Sequence, residues 1–414
     1  MKEKIFDNLE KPAKLEQLYR SNPSGFKAAF TDLYPEIEHH PSSQFWFERL
    51  NYVGSGFFPE LKKDWFILLL LAFVSGLIAK IPGFLSIDPD AFFPRNISFV
   101  VFPALMVFFL WKQANHWRNY LTMVIIIGFS VLYINILPNN NSSNTLILAS
   151  IHLPLVLWAW LGVVYAGKNW LQPYKRLEFL RFNGDLIVMT TVLLIAGGIL
   201  SAITVNLFNL IEIKIDDIYF DYVAIWGLAA APVVGTYLVF TNPSLVQNVS
   251  PVIARVFTPL VLVMLVIYLV SLMLTGRSPY NDREFLLIFN ILLIGVMALI
   301  LFSIAESKMN SQNRGSILLL LSLSVVTIAI CGIALSAIIY RLFAFGITPN
   351  RLAVLGSNLL MFTNLILVAF RLLQSLKTPS KTIGVQNSIA AFLPYYAIWT
   401  ILVCFLFPLL FQFQ

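Results

Sequence analysis

The chain has 414 residues, of which 58% are hydrophobic and only 12% are charged, and its mean hydropathy is +0.79. Soluble domains carry about 25% charged residues, so this composition excludes an ordinary soluble globular protein and indicates a membrane protein. The net charge is +7. Its basic residues lie mostly beside apolar segments, which the positive-inside rule explains without a nucleic acid partner.

Residues 1–64 are polar and charged, and they predict a small soluble helical module. Asn22 followed by Pro23 is typical of a helix start, and Pro35 is expected to end that helix. A module of this size buries little apolar surface, so we expect it to lean on the membrane domain or on a protein partner. The expected buried side of its last helix is Phe45, Trp46 and Leu50.

Residues 65–414 predict a transmembrane helical domain of about eleven spans, with a range of ten to twelve. Lipid cannot satisfy open backbone N–H and C=O groups, so apolar segments of this length must cross a bilayer as helices. The predicted fold class is therefore an all-α polytopic transmembrane helix bundle. The spans centre on residues 65–84, 97–111, 119–137, 145–167, 186–210, 220–240, 252–275, 285–305, 316–340, 352–372 and 390–411.

The basic residues also predict an orientation. With the N-terminus in the cytoplasm, most of the 28 Lys and Arg residues fall on the inner side, and the acidic loop "EIKIDDIYFD" falls outside. A loop charge bias of this kind orients a bundle. We therefore expect the module to be cytoplasmic and the C-terminus to lie outside.

The stretch "YRLFAFGITPNRLAVLGSN" predicts a tight helix–turn–helix on the outer side. Gly346 can adopt a positive φ, Thr348 can cap the next helix, and Pro349 suits its first position. Arg351 then lies in the first turn, and Arg341 lies in the last turn of the incoming helix. Either these arginines anchor the helix ends at the membrane interface, or they form a positively charged entrance that attracts an anion.

A polar stripe runs along the helix that follows. Asn350, Ser357, Asn364 and Arg371 recur at seven-residue intervals, and such a repeat drifts only about 20° per step. A stripe of this kind either bonds neighbouring helices or lines an aqueous path. Both interpretations stay open, and the path candidates are Arg341, Arg351, Ser357, Asn364 and His152.

His152 lies about two turns into a predicted span and precedes Pro154. Ionisable residues inside membranes are functional candidates by default. The alternative is a neutral imidazole that bonds a backbone carbonyl freed near the proline.

Near the inner ends of the spans, the sequence predicts salt bridges among Asp185, Arg255, Glu306 and Arg371. We expect no catalytic residue, because no nucleophile–base pattern is visible. No metal site is expected either. The segment Gly162–Asn169 approaches a phosphate-binding loop, but Asn169 stands where Ser or Thr is required, so no nucleotide or other cofactor is expected.

Two segments resemble a family of bacterial polytopic membrane proteins, the domain of unknown function 4153. They are "SPYNDREFLLIFNILLIGVMALILFSIAE", Ser278 to Glu306, and the stretch around the turn Gly346 to Arg351. The N-terminal "KLEQLYRSNPSGFKAAFTDLYPEI" and "FWFERLNY" are similar to the leader of its Bacteroidetes-type members. The resemblance implies a multi-pass protein of a bacterial inner membrane and brings no reaction or substrate.

Two functions from different classes fit this sequence. The first is a permease-like or channel-like protein for a small, anionic solute, motivated by the stripe and the outer arginines. The second is a non-transporting sensor or scaffold that signals through the cytoplasmic module to a protein partner. A membrane enzyme is the least favoured class, and the lipid bilayer is a partner under all of them.

Overall fold

A computed structural model describes residues 1–38, 40–51, 61–113, 117–138, 143–242, 249–275, 280, 283–306, 314–377 and 382–413. Within these ranges the regular structure is entirely helical. Ten of the described helices are long and apolar enough to cross a membrane, and a further apolar helix, Phe289–Ala305, is shorter. The predicted all-α polytopic bundle is therefore confirmed.

The chain divides into two compact units, Met1–Ile67 and Leu68–Gln414. The first unit has an aromatic interior in which Phe26 packs against Phe30 and Trp46. Asn22 caps the third helix by accepting a hydrogen bond from the Gly25 N–H at 2.9 Å, as its sequence position predicts. The helices of this unit are α1 (Lys2–Phe6), α2 (Pro12–Ser21), α3 (Pro23–Ile37) and α4 (Pro41–Asn51).

Two expectations for this unit are wrong. Helix α3 continues through Pro35 to Ile37, because a proline so close to a helix end removes only one backbone hydrogen bond. Phe45 is 62% exposed, whereas Trp46 and Leu50 are buried as predicted. Residues three and four apart share a helix face, so Ser43 joins Trp46 and Leu50 in the interior while Phe45 lies outside it.

The second unit contains the predicted spans. Its helices begin with α5, whose first residues belong to the first unit, and end at the C-terminal turn α16. Their bounds are α5 (Leu61–Leu85), α6 (Pro89–Lys112), α7 (Trp117–Ile136), α8 (Asn144–Ala166), α9 (Pro173–Leu210), α10 (Asp216–Thr241), α11 (Val249–Thr275), α12 (Arg283–Glu306), α13 (Arg314–Phe345), α14 (Pro349–Lys377), α15 (Thr382–Ile401) and α16 (Phe407–Leu410).

Helix α9 is much longer than its predicted span. It contains 38 residues, or about 57 Å of helix, against a hydrocarbon core of about 30 Å. Its first three turns carry basic and acidic side chains and also bury Leu177, Phe179 and Phe182. These turns are therefore an extension of the helix that the apolar pattern alone does not reveal.

A π-helical turn, Leu402–Leu406, joins α15 to α16. Such a turn disturbs the regular backbone ladder. Tyr133 of α7 donates its hydroxyl hydrogen toward the carbonyls of Cys404 and Phe405, at 3.3 and 3.1 Å. The side chain of one helix thus satisfies the irregular backbone of another.

The loops bring the helix ends together at two ends of the bundle. We call one the basic end: there Gln113, after α6, donates to the carbonyls of Val164 and Tyr165 near the end of α8. At the opposite end, Asn350 donates to Asn144. The basic end includes Lys112, Arg118, Lys168, Lys175, Arg176 and Arg181 with the acids Glu178 and Asp185. The opposite end includes the acids Asp88, Asp90, Glu212, Asp216, Asp217 and Asp221 with the bases Lys80, Arg95, Lys214, Arg341 and Arg351.

Candidate functional site

The turn between α13 and α14 has the predicted geometry. Gly346 has a φ of +77°, which glycine adopts without steric cost. Thr348 accepts a hydrogen bond from the Arg351 N–H at 3.3 Å, and Pro349 is the first residue of α14. Each residue of this motif therefore acts as its sequence position predicts.

Arg351 binds the turn itself. Its Nη1 donates to the carbonyls of Phe345 and Gly346, both at 2.8 Å, and its guanidinium lies 5.6 Å from the centre of the Phe345 ring. The last carbonyls of a helix lack partners within the helix and carry partial negative charge. Arg351 therefore closes the C-terminal end of α13, and the choice between an interface anchor and an anion contact stays a prediction.

The polar stripe on α14 faces other helices. Asn350 donates to Asn144 of α8 at 2.6 Å. Ser357 accepts from the indole N–H of Trp399 at 3.1 Å, and Asn364 donates to the hydroxyl of Tyr396 at 3.1 Å. We call Ser357, Asn364, Tyr396 and Trp399 the α14–α15 seam. Three of the four stripe positions thus bond across helix contacts, while Arg371 donates to Gln374 on its own helix.

The seam is closely packed around one buried amide. Asn364 has no exposed surface, and its Nδ2 points at Tyr396, whose hydroxyl in turn lies 3.5 Å from the Leu360 carbonyl. A Cβ added to Gly356 would lie 2.0 Å from the Trp399 ring. The glycine is therefore required for the indole to reach Ser357.

A second buried amide lies on another face of α14, and the seven-residue pattern missed it. The Asn358 side chain donates to the Asn290 side chain of α12 at 2.8 Å. The backbone carbonyl of Asn358 accepts a hydrogen bond from the Cys331 thiol of α13 at 3.5 Å. Asn358 is 1% exposed. The sequence signal for it was the intramembrane amide pair Asn290 and Asn358, since buried amides inside a bilayer bond to one another.

His152 does not join the stripe through any hydrogen bond in the described part of the chain. Its Nδ1 lies 2.8 Å from the carbonyl of Leu148, one turn earlier on α8. A ring nitrogen bonded to a backbone carbonyl is the alternative that the sequence left open. The acceptor is the Leu148 carbonyl. It is not the Ser150 carbonyl, which lacks its usual donor because residue 154 is a proline.

Arg341 differs from Arg351. It is half-buried, and its Nη1 is buried without a hydrogen-bond partner in the described residues. Removing a guanidinium from water without pairing it is costly. Among the path candidates, Arg341 is therefore the one whose charge is not accounted for by its contacts within the described residues.

The predicted inner-face salt bridges stay a prediction. Arg255 and Arg371 have exposed side chains, Asp185 is half-buried and makes interactions of its own, and the side chain of Glu306 lies outside the described part. What closes this end of α12 instead is a pair of donors. Arg181 donates to the carbonyl of Ala305, and Gln386 donates to that of Ile304.

Capping of one helix by another is the recurring role of the long polar side chains. Arg95 of α6 donates to the carbonyls of Ile134 and Leu137 at the end of α7, at 3.3 and 3.1 Å. Gln113, Arg181, Gln386 and Arg351 do the same at other helix ends. The sequence analysis did not find the carbonyl acceptors of these side chains.

An ion pair at the end of the bundle opposite the basic end also escaped the sequence analysis. Lys80 of α5 is 8% exposed. Its Nζ lies 4.0 Å from a carboxylate oxygen of Asp221 and 4.5 Å from the centre of the Tyr222 ring. Both partners lie in the π-helical turn Tyr219–Ala224 of α10. The cation is therefore compensated by one short segment.

Two apolar grooves lie on the surface of the bundle. One of about 450 Å³ follows α11 from Leu260 to Ser271, and another of about 420 Å³ runs between α7 and the C-terminal turn. Neither includes a residue of the stripe.

No protein-family model, no curated protein and no solved structure matches this chain. Membership of the family that the sequence resembles therefore stays a prediction. What is established is an integral membrane protein with many apolar helices.

Proposed function

We propose that this integral membrane protein is a non-transporting scaffold or sensor, and that its N-terminal helical module receives a protein partner. The observation that carries the proposal is the α14–α15 seam. An aqueous path requires polar groups that face an open lumen, whereas Ser357 and Asn364 face Trp399 and Tyr396 at hydrogen-bond distance. The strongest polar feature of the sequence is thereby used to pack helices.

Transport measurements test this proposal directly. Purified protein reconstituted into liposomes is expected to leave them impermeable to chloride, nitrate, phosphate and small carboxylates. A reproducible flux above that of empty liposomes would contradict the scaffold function.

Crosslinking tests the role of the module. A photo-reactive side chain at Phe45, which is 62% exposed, is expected to give one discrete adduct in cells. The matched control is the same group at Trp46, which is 3% exposed and should give none. Equal labelling at both positions, or labelling at neither, would contradict a partner-binding module.

We also propose that the protein lies in a bacterial inner membrane with its basic end and its N-terminus in the cytoplasm. The asymmetry between the two ends and the family resemblance support this orientation. Both native cysteines are buried, so added cysteines report without background. Lys214→Cys should react with an impermeant maleimide in intact spheroplasts, and Lys168→Cys only after permeabilisation; the reverse pattern would invert the orientation.

Arg341 favours a second candidate function, a permease-like or channel-like path for a small anion. A half-buried cation with an unpartnered nitrogen in the described residues is a group that an anion would stabilise. If liposomes containing the protein do conduct anions, Arg341→Gln should lower the flux at least about ten-fold, since loss of a buried charge contact costs more than about 1.4 kcal/mol. Lys214→Gln, at the same end, is the matched control and should leave the flux unchanged.

A further inference from the structure

One corner of the basic end combines exposed aromatic rings with basic side chains. It is built from the end of α6, the start of α7, the end of α8, the turn Gly167–Asn169 and the start of α9. We call these residues the basic corner. Its exposed aromatic and apolar residues are Trp117, Trp170, Leu171 and Tyr174, and its basic residues are Lys112, Arg118, Lys168, Lys175 and Arg176.

The basic corner is held in one shape by backbone and side-chain contacts. Gln113 donates to the carbonyls of Val164 and Tyr165 at 3.1 and 3.0 Å. Gly167 has a φ of +56°, and a Cβ there would lie 2.8 Å from the Gln113 side-chain oxygen. Arg176 donates through Nε to the Trp170 carbonyl at 3.1 Å. These contacts fix the backbone at Trp170, a residue that is 47% exposed.

The basic corner carries mostly positive charge. Among its described residues the acid is Glu178, which forms a salt bridge with Lys175 at 2.6 Å. Lys168 has an exposed side chain and lies in the turn Gly167–Asn169, two residues before Trp170. Lys112 lies 5.0 Å from the centre of the Trp111 ring, so its ammonium is positioned at the level of the aromatic side chains. Positive charge and exposed rings therefore occupy the same few residues.

We propose that the basic corner binds the headgroup of an anionic phospholipid. The phosphodiester supplies the negative charge that Lys112 and Lys168 attract, and aromatic rings such as Trp170 settle at the headgroup level of a bilayer. The corner lies where spanning helices begin and end, so the partner that meets both its charges and its rings is a lipid. At the opposite end Lys214 is accompanied by Glu212, Asp216 and Asp217, so the same lipid should not collect there. This inference stands independently of whether the protein is a scaffold or a conduit.

The test uses the full chain in lipid nanodiscs. Phosphatidylglycerol is mixed into phosphatidylcholine, and the lipids that stay bound are counted by native mass spectrometry. Lys112→Gln and Lys168→Gln are expected to lower phosphatidylglycerol enrichment about five-fold each, because a basic side chain near an anionic surface contributes about 1 kcal/mol. Lys214→Gln is the matched control and should keep the wild-type enrichment.

Three outcomes would overturn the proposal. The first is wild-type enrichment retained by the Lys112→Gln, Lys168→Gln double variant. The second is an equal loss in Lys214→Gln, which would assign the effect to net charge alone. The third is full displacement of the lipid by millimolar inorganic phosphate, which would identify a soluble anion as the ligand. Equal thermal stability of all variants in pure phosphatidylcholine excludes a folding defect. If the double variant is less stable than the wild type, Lys168→Gln alone is judged by the same criteria.

Discussion

The N-terminal unit and the membrane bundle both have apolar interiors, but they differ in the side chains that they expose. In the first unit Phe26, Phe30 and Trp46 form the interior, and Glu16 holds its arginines at the surface. In the bundle, the amides Asn358 and Asn364 are buried together with apolar residues. Long runs of aliphatic side chains on α9 and α11 are exposed at the same time.

The difference follows from the two solvents. Water drives apolar groups into the first unit, because burying them is favourable by about 25 cal/mol per Å². Lipid removes that driving force between spanning helices, so they associate through close packing of small residues and hydrogen bonds. A single chain therefore uses two rules of assembly, and substitutions of different chemistry should damage each unit most.

The largest effect is expected in the first unit. Phe26→Ala removes a fully buried ring, and such changes cost about 3–5 kcal/mol. A module of this size has little stability to lose, so hydrogen exchange of residues 12–51 in the full-length protein should rise to the rate of an unfolded chain. Phe45→Ala is the matched control, and its exposed ring predicts a change within about 0.5 kcal/mol. Equal protection in both variants would contradict an aromatic interior.

In the bundle, a small addition should do the most damage. Gly356→Ala places a Cβ where the Trp399 ring lies, and overpacking of this kind costs about 1–3 kcal/mol. The free energy of unfolding in detergent, from a denaturant titration, measures the loss. Gly197→Ala is the control, because nothing lies within 4 Å of the Cβ that it adds. A loss at Gly197 as large as that at Gly356 would show that the close approach to Trp399 is unimportant.

The hydrogen bond between Asn364 and Tyr396 should contribute less than the packing around it. A double-mutant cycle of Asn364→Leu and Tyr396→Phe is expected to give a coupling energy of about 0.6 kcal/mol and at most about 1.7, the range found between membrane helices. Thr363→Val controls for the loss of a polar group, because the Thr363 hydroxyl bonds only to its own helix, at the Leu359 carbonyl. Zero coupling would mean that the two side chains do not stabilise the seam jointly.

Much of the architecture follows from patterns within single segments. Apolar length alone predicts the spanning helices, and the turn at Gly346 to Arg351 follows from local backbone preferences that need no partner. Asn22 is another such case. In each of these, the residues that decide the structure lie within a few positions of one another.

Contacts between helices could not be predicted from the sequence. Spanning helices are apolar on lipid-facing and helix-facing sides alike, so periodicity does not tell which side meets a neighbour. The stripe was recognisable, but its partners Tyr396 and Trp399 were not. For the same reason the contacts of Lys80 with Asp221 and Tyr222 were not predicted. The extension of α9 before residue 186 was missed because its charged residues interrupt the apolar run that defined the span.

The smallest effect concerns Glu16, in the first unit. Hydrogen bonds from Arg20 and then Arg49 lower the pKa of this carboxyl below its ordinary value of 4.5. The unfolded chain therefore takes up the proton more readily than the folded module. The resulting stabilisation is complete above about pH 5 and is lost as the pH falls below 4.5 through the folded-state pKa.

Because the pair with Arg49 joins α2 to α4 at 2.9 Å, its loss should loosen the contact between these two helices without unfolding the bundle. Hydrogen exchange of residues 12–51, compared between pH 6 and pH 3.5 after correction for the intrinsic rate, should show this weakening in the wild type. Glu16→Gln should already be weakened at pH 6 and should respond less to acid. A variant with the full acid response of the wild type would assign that response to other carboxylates of the module. The α14–α15 seam of the bundle contains no group that titrates in this range and should keep its exchange pattern at both pH values.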